Sequence, residues 1–107
     1  MKIEPLTESY FFILLCLYNE PNHGYGIMQE TADLTKDRVK IGSGTMYGAV
    51  RNMLKKKWIT EFYSNKAEDN RRRLYKITDK GKKVIEHERR RLKELVDCSE
   101  VIMGGDV

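Results

Sequence analysis

In the stretch IGSGTMYGAVRNMLKKKW (41–58), Gly44, Gly48, Arg51 and Lys55 follow one another at intervals of four, three and four residues. That spacing places all four on one side of a helix. Arginine carries a planar fork of donors that matches guanine edges and phosphates, and lysine a mobile point charge. Glycine leaves room for a groove or backbone to come close. Thr45 and Tyr47 fall on the two flanks, and Asn52, whose amide can pair with an adenine edge, lies beside the face. Ser43 and Thr45 add hydroxyls to a helix start whose unpaired N–H groups suit a phosphate. The chemistry on offer is hydrogen bonding to a polyanion and to bases.

A second basic group supports this. Arg71 and Arg72 follow the polar turn KAEDN, which carries Lys66. Strand alternation sends Arg73, Tyr75 and Ile77 to one face and Arg72, Leu74 and Lys76 to the other. Tyr75 and Ile77 are the better core pair, so Arg71 and Arg72 near the tip are the freer charges. A hairpin so armed lies along a phosphate backbone or enters a minor groove.

The charge distribution agrees. The net charge of +4 divides into −2 over residues 1–50, +10 over 51–93 and −4 over 94–107. The basic surplus sits in the second half of a small domain, where a polyanion can use it.

Other chemistries lack their residues. His23 and His87 are far apart, and HERRR (87–91) has no second histidine for a zinc-binding H-E-x-x-H helix. No Ser/His/Asp set or carboxylate pair stands out, so neither an enzyme nor a cofactor is expected. Gly42-x-Gly44 with Gly48 misses the G-x-G-x-x-G spacing of a nucleotide loop. Cys16 and Cys98 form no C-x-x-C pair and are too few for a disulfide scaffold. Packing explains both, a redox switch at Cys98 being the competing reading. The apolar run YFFILLCLY (10–18) is about half the ~20 residues that span a bilayer and lacks the flanks of a signal peptide. A reducing cytoplasm and no membrane partner are expected.

The elements that position these residues follow from periodicity. A first helix is expected from Thr7 or Glu8 to Glu20, with Tyr10, Phe11, Leu14, Leu15 and Tyr18 on its core face. A second is expected over 24–34, with Tyr25, Met28 and Ala32 on one side and His23 before it. Val39 to Ile41 form a short extended piece, and 43–57 a third helix with Met46, Val50 and Met53 inward. ITEFYSN (59–65) and RRRLYKIT (71–78) make a hairpin. Thr78 then caps a last helix from Asp79 to about Met103, stopped by Gly104 and Gly105. The expected fold is mainly α with a small β-hairpin: a winged helix-turn-helix over 1–78 and a long C-terminal dimerisation helix and tail over 79–107.

That last helix is about 37 Å long at ~1.5 Å per residue, more than one small domain can cover. Leu92, Leu95, Val96, Ile102 and Met103 continue an apolar stripe into its distal half, and with Ser99 they form the expected dimerisation surface. A two-fold dimer sets two reading helices about one DNA turn, ~34 Å, apart, which matches a palindrome.

Three motifs, HGYGIMQE (23–30), GSGTMYGAV (42–50) and RRRLYKITDKG (71–81), resemble the PadR family of transcriptional regulators in order and spacing. The length resembles its compact subgroup, with a single C-terminal helix. The resemblance implies a homodimeric winged-helix protein, usually a repressor, whose C-terminal helix is the dimerisation arm. It also implies an effector, since some members bind aromatic or drug-like molecules near the dimer interface and release DNA. Thr45 and Tyr47 match the family's Thr-x-Tyr, Tyr25 the tyrosine of His-Gly-Tyr, and Arg71-Arg72 its basic wing. Tyr75, Thr78 and Gly81 match Tyr-x-Leu-Thr-x-x-Gly, with Ile77 in place of the leucine, and read as structural. Ser43 stands where proline is common, and Lys57 where a helix-ending glycine is common. The function expected is sequence-specific binding of double-stranded DNA. The competing reading is a winged-helix module for protein or RNA.

Overall fold

The computed structural model describes residues 4–63 and 73–105. Its elements are α1 (Glu8–Cys16), β1 (Asn22–His23), α2 (Gly24–Leu34), α3 (Ser43–Lys55), β2 (Ile59–Tyr63), β3 (Arg73–Ile77) and α4 (Asp79–Met103). The three strands form one antiparallel sheet in the order β1-β3-β2.

Thr7 starts α1, its Oγ1 accepting from the Tyr10 amide at 3.2 Å. The helix stops at Cys16, four residues short of the expected Glu20. The Leu17 amide is shared between the Ile13 and Leu14 carbonyls, and Tyr18 N–H turns to Leu15, the tight closure of a last turn. Tertiary contacts explain the early stop: Leu17 is needed in the core, and the Tyr18 hydroxyl donates to the Glu86 carboxylate on α4. The buried face of α1 is Ile13, Leu14 and Cys16, while Leu15 lies exposed.

In α2 the buried residues are Ile27 and Thr31, with Met28 partly buried against the core and Tyr25 exposed. Thr31 can be buried because its hydroxyl donates to the Ile27 carbonyl at 2.8 Å, within its own helix. His23 caps α2, its Nδ1 accepting from Gly26 N–H at 3.0 Å. The extended piece expected at 39–41 is not a strand. The third strand is β1, where Asn22 faces Tyr75 and His23 faces Leu74.

The end of α3 is closed by the expected non-glycine. Lys57 takes a positive φ of 62°, and Trp58 N–H returns to the Met53 carbonyl at 3.0 Å. Thr78 holds this turn from the other side. Its Oγ1 donates to the carbonyls of Lys57 and Trp58 and accepts from Gly81 N–H, capping α4. A Cβ on Gly81 would collide with the Trp58 carbonyl, so the first turn of α4 reaches the turn only with glycine there.

The core gathers Leu14 of α1 and Leu17 just after it, Ile27 of α2, Met53 of α3, Ile59 and Ile77 of the hairpin strands, and Val84 and Ile85 of α4. Glu88, 2% exposed, closes it: its carboxylate accepts from Leu6 N–H at 2.8 Å and from Arg91 at 2.6 and 3.0 Å. So α4 begins as part of the core and continues past it for four turns.

Candidate nucleic-acid interface

The third helix divides cleanly. Met46, Ala49, Val50 and Met53 are buried, and Ser43, Gly44, Thr45, Tyr47, Gly48, Arg51 and Lys55 are exposed. A Cβ built on Gly44 or Gly48 would meet nothing within 4 Å. Nothing among the described residues therefore asks for glycine, although Gly48, inside the helix, costs about 1 kcal/mol relative to alanine. Gly42, the N-cap, has no side chain to satisfy the first amides of α3, which leaves them facing outward beside Ser43 and Thr45.

Asn52 is placed differently from its neighbours. It is half-buried, and its Nδ2 donates to the Tyr10 hydroxyl on α1 at 2.9 Å. The open face is carried by Arg51 and Lys55, with Asn52 drawn toward the protein. Tyr25, in the first turn of α2, is 63% exposed and its hydroxyl accepts from Gln29 Nε2. Lys66, Arg71 and Arg72 lie outside the described residues.

One charged residue of the hairpin shares the face of Tyr75 without sharing its burial. Arg73 is the first residue of β3, opposite Tyr63, and alternation gave it to the core side with Tyr75. Tyr75 is buried, but Arg73 is exposed: at this end of the ribbon that face emerges beside α3. Glu61, Tyr63, Arg73 and Tyr75 share the face. Arg73 Nε lies 3.3 Å from the Glu61 carboxylate. The hydroxyls of Tyr63 and Tyr75, then Glu61, hold the guanidinium still more firmly charged than usual. Between the hairpin and α3 is a cleft of about 330 Å³ lined by Gly24, Met46, Tyr47, Val50, Tyr63, Arg73 and Tyr75. The diagonal Glu61–Arg73 pair was detectable once register was known, because long side chains span that separation.

A separate cavity of about 430 Å³ lies where α1, α3 and the start of α4 meet. Its walls include Tyr10, Asn52, Lys56, Trp58, Lys80 and Val84. Trp58 is half-buried, its ring edge-on to Tyr10 at 6.5 Å and covered by Lys56 Nζ at 5.0 Å. It serves the core and the cavity together.

Along distal α4, Leu92, Leu95 and Val96 are exposed, and Ile102 and Met103 are 86% and 81% exposed. Ser99 turns its hydroxyl to the Val96 carbonyl at 2.6 Å. Cys98 is exposed, whereas Cys16 is buried, and burial pushes its thiol up to about 11. Among the described residues no three His, Cys, Asp or Glu side chains gather as a metal site, and no helix is long and apolar enough to cross a membrane.

Two helices carrying an exposed third, followed by a two-stranded ribbon packed beside it, define a winged helix-turn-helix. The sequence profile of the Transcriptional regulator PadR-like family matches residues 13–87, and the chain belongs to that family. An uncharacterised protein of Lysinibacillus sphaericus is 28% identical over 93 residues, covering 87% of this chain and 85% of its own. The same fold occurs in a PadR family transcription regulator of Clostridium difficile R20291, at 24% identity and a TM-score of 0.77 over 92% of this chain and all of that one. It occurs also in Bacillus subtilis PadR in complex with operator DNA, at 18% identity and a TM-score of 0.67 over 78% of this chain and 47% of that one.

Proposed function

We propose that this transcriptional regulator is a repressor that binds a palindromic operator as a homodimer. The observation that carries the reading is the exposed face of α3, where two glycines with open space above them are followed by Arg51 and Lys55. Major-groove readout needs close approach and donors to base edges, and that face offers both. The +10 balance of residues 51–93 adds the sequence-independent attraction to phosphates. The solved complex of Bacillus subtilis PadR with operator DNA supports the same use of the fold.

Dimerisation through distal α4 is supported by the exposed Leu92, Leu95, Val96, Ile102 and Met103, which a second copy can cover. Release by a small aromatic or drug-like ligand is the finer part of the proposal. The 430 Å³ cavity supports it, because Asn52 and Lys56 in its wall belong to α3 and its C-cap. The expected place of action is the cytoplasm, with the DNA.

Fluorescence anisotropy of the purified protein tests this, with duplex DNA from upstream of its own gene against scrambled duplex, at two salt concentrations. A strong preference for the upstream duplex that weakens with salt supports a specific regulator. Equal, weak binding to both argues for a basic surface without readout. No binding at low salt favours the protein-partner module.

A further inference from the structure

We propose that Arg73, in the cleft it lines together with Tyr63 and Tyr47, seats one DNA backbone phosphate at the loop end of the β2–β3 ribbon, and that Glu61 holds the same guanidinium while DNA is absent. The inference rests on the DNA-binding reading above and assigns a contact to residues that sequence patterning had set aside.

Three observations converge on the cleft. First, its two walls are the elements a duplex must touch: Tyr47 and Met46 from α3, Tyr63 and Arg73 from the ribbon. A DNA strand laid against the open face of α3 and continuing to the hairpin crosses this gap. Second, the groups that reach it are phosphate ligands by type. Arginine presents a planar fork to phosphate oxygens, and tyrosine hydroxyls donate to them. Tyr47 and Tyr63 are both about 60% exposed, far more than a pair of packed aromatics would be.

Third, the acidic partner of Arg73 is replaceable. The Glu61 contact is a single 3.3 Å approach to Nε between side chains 40% and 43% exposed, not a two-bonded fork. Exposed pairs of that kind contribute little to stability. A phosphate carries the same charge as the carboxylate and can take both arms of the fork. Glu61 thereby orients the guanidinium in the free protein and competes with DNA for it. Removing Glu61 lifts that competition and removes a negative charge from beside the phosphate path.

This gives Arg73 and Glu61 opposite signs, which a merely structural ion pair does not. The test uses a labelled duplex of arbitrary sequence, so no operator need be known, and follows the dissociation constant over a range of salt concentrations. Arg73→Gln is expected to weaken binding and reduce the slope of log K against log salt by about 0.9, the loss of one phosphate contact. Glu61→Gln is expected to tighten binding, by up to about fivefold. Thermal melts of both variants report whether the fold persists. If Arg73→Gln does not fold, the sign of the Glu61→Gln effect decides alone. Unchanged or weaker binding by Glu61→Gln overturns the proposal, as does an unaltered salt slope in folded Arg73→Gln. Failure of the parent protein to bind any duplex overturns the DNA-binding reading itself, a separate outcome.

Discussion

Asn52 Nδ2 donates to the Tyr10 hydroxyl at 2.9 Å, tying the inner flank of α3 to α1. Tyr10→Phe removes the acceptor and leaves a half-buried amide to find water. The variant should lose about 1 kcal/mol of stability in urea unfolding, the usual worth of such a bond. Its preference among DNA sequences should persist. A change in sequence preference with stability intact would return Asn52 to the reading face.

Gly48→Ala separates stability from function. With nothing within 4 Å of the new methyl, the substitution should stabilise the helix by about 1 kcal/mol and raise the melting temperature. The methyl also occupies the space a groove wall needs, so binding to DNA should weaken. A variant both more stable and equally tight would show that the open glycine serves no close approach.

Arg51 should discriminate and Arg71 should not. Arg51→Ala is expected to lower specific binding by about 1–3 kcal/mol with a smaller effect on random duplex. Arg71→Ala should weaken both alike and flatten the salt dependence. Competition anisotropy with specific and scrambled duplexes distinguishes the two patterns.

The carboxyl of Glu88 is held below the ordinary carboxylate range by its hydrogen bonds from Arg91, against the opposing effect of burial, with Leu6 N–H assisting. A depressed folded-state pKa means that the group stabilises the fold above its unfolded value, ~4.3. That contribution is lost as pH falls through the lower folded value. Glu88→Gln should therefore be less stable than the parent near neutrality, by about 1–3 kcal/mol. The gap should narrow below about pH 4. Urea titrations between pH 3 and 7 would reveal it, and a gap independent of pH would refute the linkage.

Distal α4 should set the oligomeric state. Leu95→Glu places a charge in the exposed apolar stripe and should shift sedimentation from dimer toward monomer while helix content by circular dichroism persists. An unaltered sedimentation coefficient would locate self-association elsewhere or deny it.

Sequence patterning recovered what periodicity and caps encode. The full span of α4, the Thr78 cap, the buried Met46/Val50/Met53 stripe and the Tyr75/Ile77 pair all stand as read. It failed where tertiary contacts override local preference. A two-residue strand such as β1 has no alternation to detect, since Asn22 and His23 are extended by Tyr75 and Leu74 across from them. Thr31 entered the core because its hydroxyl is satisfied on its own helix, which hydrophobic counting cannot anticipate. Arg73 followed its strand's parity yet escaped burial, because its face runs off the core near the ribbon's far end. Asn52 turned inward for a hydroxyl 42 positions away in sequence.

The unbroken course of α4 from Asp79 to Met103 makes it a ruler as well as an arm. Its first turns are locked to the end of α3 through Thr78 and Gly81, and its last turns carry the exposed apolar stripe. Separation and phase between two reading helices would then be counted in residues. One residue inserted at 89–91 would advance the distal stripe by ~1.5 Å and swing it by ~100°. Four would bring it nearly back into phase at a longer span. In the proposed dimer, half-site spacing on the operator would be a length written into the chain between its core and its exposed end.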